Sequence, residues 1–316
     1  MTLHRAAAKG LLAPLLLGLG GCVSVPDITQ ARSPCRSEPG GWCAFVRDMA
    51  VGSYGYAMLS SNAYRDGDSY TQLGPRFEEV PVIPPAEGEA RDGLAYSLFD
   101  EFAVLEEGEA LERGPIRARV MAFRGTEYSS PTDIIKGSIR ADQIAVARRV
   151  YAAERARLAA EHPGLTLIVA GHSLGGALAT QISIENPGIP AYTFNVSPFY
   201  RGDSTVNDTK RVAIAERGEF LRFARNYRLP SAADTLVINC APGRNPGKKH
   251  GIRMLADCLT WIAAYDSRAA LALVQPNRIA KPPVECGLPG KPHPGAQAGL
   301  EGPCVHLPRP GRAISE

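Results

Sequence analysis

Apolar side chains recur along the chain in two rhythms. Leu165 to Ala170 is a short, largely apolar run that leads directly into Gly171-His172-Ser173-Leu174-Gly175, and an Ala-rich stretch with helical patterning follows to Glu185. Before it, Leu94 to Leu105 alternates, with Leu94, Tyr96 and Leu98 on one side, and Ile116 to Phe123 forms a second strand after a turn at Gly114-Pro115. A short strand around Val80, Val82 and Ile83 sits within the polar, proline-rich segment 66–93. Ala191 to Val196, Arg211 to Ala215 and Thr235 to Asn239 are three further strands.

Helical spacing appears over Trp42 to Tyr64, with Phe45, Met49, Tyr56 and Leu59 on its apolar side and a glycine interruption at Gly52 and Gly55. It recurs over Ile134 to Glu161, through Ile144, Ala147, Tyr151 and Leu158, and is stopped by His162-Pro163-Gly164. Met254 to Leu273 predicts one long terminal helix on Leu255, Leu259, Ile262 and Leu271. Strands alternating with helices in this way predict an α/β fold, a mostly parallel central sheet with helices on both faces. No internal repeat is evident.

The two ends read differently. His4, Arg5 and Lys9 precede the apolar run Leu11 to Leu19, which is too short to span a bilayer, and Leu19-Gly20-Gly21-Cys22 closes it. This looks like a bacterial lipoprotein signal: residues 1–21 would be removed and Cys22 would carry the lipid. Several acyl chains hold where one does not, since each buried methylene is worth about 0.8 kcal/mol. The resemblance implies a lipid-anchored protein of the bacterial cell envelope, and Val23 after the cysteine favours the outer membrane. Residues 22–41 then form a tether, 42–275 the folded domain, and 276–316 a tail rich in proline and glycine.

Composition adds limits. The 316-residue chain is 45% apolar with a formal net charge of only +3, which gives ample core and argues against a nucleic-acid partner. Without Cys22, six cysteines remain, an even number that suits an exported chain with disulfides. Sequence proximity suggests Cys35–Cys43, Cys240–Cys258 and Cys286–Cys304. No metal-ligand spacing such as C-x-x-C is present, and no cofactor motif is seen.

The chemistry centres on Ser173. G-x-S-x-G between a strand and a helix is the nucleophile elbow of α/β hydrolases, in which a tight turn lifts the serine Oγ clear of the sheet. Gly171 and Gly175 leave out side chains that would collide with the neighbouring strand and helix, and Gly176 extends this. A serine needs a base to take its proton, and the base needs a third group to orient it. Of six histidines, His250, His293 and His306 follow Ser173 in the chain. His250 lies in the polar loop Gly243 to Gly251, directly before the terminal helix, and is the candidate base. His172, inside the elbow, packs or orients the turn.

With Val120-Met121-Ala122-Phe123-Arg124-Gly125-Thr126, Asp133 and GHSLGGALA together, the chain resembles the class 3 lipase family of α/β hydrolases over roughly residues 43 to 260. Thr193 to Pro198 is similar to the family's T-F-G-x-P strand but carries Asn195 in place of glycine, with one additional residue before the proline. The resemblance implies an oxyanion hole made by Thr126 and the backbone N–H of Leu174. It also implies a carboxylate after the Arg211 strand, where Glu219 aligns best, with glutamate in place of aspartate; Glu216 and Asp234 are the alternatives. The activity implied is hydrolysis of carboxylic esters by Ser173, His250 and an acid, of lipase or phospholipase type, without a metal or cofactor, on a lipid or ester substrate at a membrane. An acyltransferase, or a non-catalytic envelope lipoprotein that binds a partner through the same fold, would share these features.

Overall fold

The computed structural model describes residues 33–35, 38–65, 69–82, 94–125, 141–225 and 230–285. Cys22, Thr126, Asp133, Cys286 and Cys304 lie outside the described residues. At the centre, seven strands form one sheet in which spatial order follows chain order: β1 (Phe77–Val80), β2 (Tyr96–Glu107), β3 (Ala110–Phe123), β4 (Thr166–His172), β5 (Ala191–Phe194), β6 (Arg211–Glu216) and β7 (Asp234–Ile238). β1 to β3 pair antiparallel, and β3 to β7 run parallel. Parallel neighbours require crossovers, and α2 (Ala141–Glu161) and α3 (Leu174–Glu185) supply those between β3 and β4 and between β4 and β5.

Successive side chains on a strand point to opposite faces, so the sheet divides the core in two. Phe99, Val120, Ile168 and Ile214 pack with α1 (Ala44–Asn62), α6 (Ile252–Ala263) and α7 (Arg268–Val274). Leu98, Met121, Phe123 and Val169 pack on the other face with α2 and α3. Complete burial of each such side chain stabilises by about 1.5–3 kcal/mol, enough to specify strand register wherever both faces are covered. This is the mostly parallel α/β sheet, covered by helices on both faces, that the apolar pattern predicts, and it is consistent with the α/β-hydrolase fold that the elbow implies.

Several local expectations need correction. α1 runs unbroken through Gly52 and Gly55. A Cβ at Gly55 would lie 2.4 Å from the Phe77 ring, so this glycine permits close approach of helix and strand. The β2–β3 hairpin turns at Gly108, not at Gly114-Pro115, which lie inside β3. The pairing slips between Glu101 and Val104 opposite them, and a proline without an N–H is accommodated at such an irregularity. β1 starts at Phe77, ahead of the expected Val80. The long terminal helix is two helices: α6 ends at Ala263, and Ser267 caps α7 by accepting from the Ala270 N–H at 3.3 Å.

The described residues beyond 275 do not leave the domain. Ile279 and Val284 are buried, and the Glu285 carboxylate accepts from Trp42 Nε1 at 3.2 Å, Trp261 Nε1 at 2.7 Å and the Tyr265 hydroxyl. Burial raises its pKa above the ordinary glutamate value despite these three donors. One side chain thereby ties the start of the domain, the end of α6 and the chain after α7 together.

Two disulfides are present among the described residues, Cys35–Cys43 and Cys240–Cys258. The second joins the end of β7 to α6 across a separation of 18 residues, closing the loop that carries His250. Loop-closure entropy for that length is about 3 kcal/mol. The double substitution Cys240→Ser/Cys258→Ser should therefore lower the thermal midpoint by about 6–12 °C in oxidising buffer, read by calorimetry. An unchanged midpoint would show that the cross-link constrains nothing.

Candidate active site

β4 ends at His172, α3 starts at Leu174, and Ser173 alone makes the turn between them at φ 58°, ψ −122°. A non-glycine residue held there costs on the order of 1–3 kcal/mol. The surrounding backbone holds it: the Ser173 N–H donates to the Phe194 carbonyl at 3.1 Å, and the Ser173 carbonyl accepts from Ala177 and Ser197 N–H groups, each at 3.1 Å. The flanking glycines are obligatory. A Cβ at Gly175 would sit 2.1 Å from the Phe123 carbonyl oxygen, and one at Gly171 would sit 2.4 Å from the Gly175 backbone.

Three candidate residues meet at the C-terminal ends of the parallel strands. Ser173 Oγ lies 2.9 Å from His250 Nε2, and His250 Nδ1 lies 2.8 Å from Glu219 Oε2. All three are buried. Glu219 is fixed in turn: its Oε2 accepts from the Leu221 N–H at 2.9 Å, and its Oε1 pairs with the Arg225 guanidinium. The Phe220 ring packs 4.4 Å from the imidazole. With Glu219 accepting at Nδ1–H, Nε2 is the basic nitrogen and faces the serine.

The two alternative carboxylates are elsewhere. Glu216, the last residue of β6, is buried and turns its carboxylate onto the N–H groups of Cys240, at 3.0 Å, and Ala241, at 3.1 Å. Asp234 opens β7, exposed, at the end of the sheet remote from Ser173. Of the oxyanion pair, Thr126 lies outside the described residues. Leu174 opens α3, and first-turn N–H groups have no partner within their own helix, so its N–H is a donor aimed out of the helix start beside Ser173.

Sequence reasoning missed what holds the histidine. The main-chain carbonyl of His250 accepts from His172 Nε2–H at 2.7 Å and from Asn195 Nδ2 at 3.0 Å. His172 Nδ1 accepts from the Tyr64 hydroxyl at 2.7 Å, which sets its tautomer. Asn195 also accepts the Glu216 N–H on its Oδ1 at 2.7 Å, so it bridges the end of β6 to the histidine loop. Its φ of 43° explains the departure from glycine: the position requires a left-handed backbone, which asparagine tolerates better than other side chains. That departure was the one available signal for Asn195. Tyr64, 108 positions from His172, offered none. Among the described residues, no group of three His, Cys, Asp or Glu side chains could hold a metal ion.

No protein-family model matches the sequence, and no curated protein is detectably similar to it. In fold, the chain is similar to the Lip2 lipase of Yarrowia lipolytica, at 14% identity over 57% of this chain and 77% of that one, with a TM-score of 0.37. A lipase of Rhizopus microsporus var. chinensis is similar at 13% identity over 63% and 77% of the two chains, TM-score 0.39. Lipase II of Rhizopus niveus is similar at 14% identity over 55% and 74%, TM-score 0.35.

Burial, and then the adjacent His250 ring at 4.7 Å, depress the His172 pKa well below 6.5. The unfolded chain therefore binds a proton below about pH 6.5 that the folded protein refuses, and stability falls as pH falls through that range. Urea unfolding of wild type and His172→Gln at pH 7, 6 and 5 should show the wild-type advantage shrinking by up to about 1.4 kcal/mol per pH unit below 6.5. Parallel stability curves would show that His172 does not stay neutral.

Proposed function

We propose that the protein is a serine hydrolase that cleaves carboxylic esters, a lipase- or phospholipase-type acyl hydrolase. The observation that carries this reading is the continuous hydrogen-bonded line Ser173–His250–Glu219, with the serine on a strained elbow. Ser173 Oγ attacks the ester carbonyl carbon while its proton passes to His250 Nε2. The imidazolium, held by Glu219 through Nδ1–H, then gives that proton to the departing alcohol. Water then attacks the acyl carbon as Nε2 takes its proton, and the acyl–Oγ bond breaks as Nε2 returns that proton to Ser173 Oγ, releasing the acid. Negative charge on the carbonyl oxygen in each tetrahedral intermediate is assigned to the Leu174 N–H and to Thr126.

We assign Cys22 as the lipidation site and the bacterial envelope, at the outer membrane, as the location. The two disulfides support an oxidising compartment. Among the described residues no helix is long and apolar enough to cross a membrane; the assignment to Cys22 rests on the Leu19-Gly20-Gly21-Cys22 sequence that closes the apolar run. Cys22→Ser should move the protein from the membrane to the soluble fraction; unchanged fractionation would refute the anchor.

Activity has a sharper test. Ser173→Ala should abolish both labelling by a fluorophosphonate probe and hydrolysis of short p-nitrophenyl esters. Glu219→Gln should lower kcat by about 10³–10⁴ with little change in KM, whereas Asp234→Asn should stay within about twofold. A wild-type serine that stays unlabelled would favour the non-catalytic binding protein instead, and product transfer to an added alcohol in preference to water would favour the acyltransferase.

A further inference from the structure

Charge is unevenly placed on this nearly neutral chain. Arg217 and Arg222 follow β6, and Arg244 and Lys248 follow β7, all at the end of the sheet where Ser173 lies. None of the four forms an ion pair with another described residue, and Arg222, Arg244 and Lys248 are exposed. The only carboxylates in residues 216–225 and 239–254 are Glu216 and Glu219, each 1% exposed and turned inward. Within these two described segments the exposed charge is therefore positive alone.

Two further features shape this rim. Arg244, Lys248 and Lys281 line a groove of 440 Å³ beside the Cys240–Cys258 bridge; the groove's one carboxylate, Asp257, is already paired with Arg253 at 3.0 Å. Phe223, on α4 (Arg222–Arg225), is 76% exposed, directly beside Arg222 and two residues before the arginine that holds Glu219. At the opposite end of the sheet, the tip of the β2–β3 hairpin presents Glu106, Glu107, Glu109 and Glu112 to solvent. Among the described residues, four cations without an ion pair thus lie at the Ser173 end, and four exposed glutamates, of which Glu106 is paired with Arg268 at 3.3 Å, lie at the other.

We propose that this cationic rim is the docking surface for an anionic phospholipid bilayer. Long-range attraction of Arg217, Arg222, Arg244 and Lys248 to lipid phosphates would orient the molecule with the Ser173 end toward the membrane, and Phe223 would enter the interfacial layer. A protruding aromatic among separated cations suits a lipid interface better than nucleic acid, whose continuous phosphate ladder demands a larger basic excess than +3. The proposal rests on the hydrolase reading only for its consequence, delivery of a lipid ester to Ser173; the binding itself does not.

Vesicle flotation of the full chain carrying Ser173→Ala tests it without turnover. Partition should be stronger on vesicles of phosphatidylcholine with phosphatidylglycerol than on phosphatidylcholine alone, and the difference should fade as salt is raised. Adding Arg244→Ala and Lys248→Ala should reduce the anionic-vesicle partition about 25-fold, about fivefold per charge, and leave binding to neutral vesicles through a lipid anchor unchanged. The same pair in the Ser173 protein should retain hydrolysis of soluble p-nitrophenyl acetate, which reports an intact fold. Equal partition on both vesicle types, indifference to the double substitution, or equally tight binding of duplex DNA would each overturn the proposal. If the serine chemistry fails and the vesicle result holds, the hydrolase reading falls and the docking surface stands.

Discussion

The site depends on a single backbone conformation. Ser173 is held at positive φ because the chain leaves a buried parallel strand and enters a helix with no residue to spare between them. The neighbours enforce this rather than the serine itself. Three main-chain hydrogen bonds, to Phe194, Ala177 and Ser197, lock its amide and carbonyl, and two glycines let β3 and α3 close in. The strain is affordable only inside a sheet buried on both faces, so the two apolar cores are a condition of the chemistry as well as of the fold.

The histidine is positioned by a different means. Its ring meets Ser173 and Glu219, but its backbone carbonyl is gripped from behind by His172 and Asn195. A side chain pinned at both its ring and its main chain loses rotational freedom before any substrate arrives, which is how orientation lowers a barrier. His172 can serve only as a neutral imidazole whose Nε2 bears the hydrogen. Burial and the Tyr64 hydroxyl enforce that form.

How much of this could be read from residues alone varied with the range of the interaction. Apolar runs placed five parallel strands and the elbow because a buried strand must be apolar along its whole length. The two described disulfides join cysteines close in sequence and were legible for that reason. The choice between Glu216 and Glu219 was harder, since both are buried and they stand three positions apart. The turn at Gly218, with φ of 77°, separates them: it ends the strand direction that sends Glu216 toward Cys240 and brings Glu219 back against His250. Tyr64, just past the end of α1, and the clasp of Glu285 on Trp42 and Trp261 depend on contacts between segments distant in sequence. No local pattern encodes these.

Asn195 joins these levels. One amide donates to the carbonyl of the candidate base and accepts the N–H of Glu216, whose carboxylate in turn caps the chain at Cys240 and Ala241. Cys240 is bonded to Cys258 on the helix that follows His250, and Asn245 caps the short helix α5 (Pro246–Lys249) that immediately precedes the histidine, through the Lys248 N–H at 2.8 Å. The ends of β5, β6 and β7 therefore form one closed circuit around the His250 loop, part covalent and part hydrogen-bonded. Glycine at 195 would adopt the backbone angle at no steric cost but would remove the acceptor of the buried Glu216 N–H and leave the His250 carbonyl with His172 alone. The asparagine is thus more than a tolerated replacement: in this chain it supplies a link that a glycine cannot. Glu216, far from being a spare acid, is the strut that lets Glu219 and His250 meet.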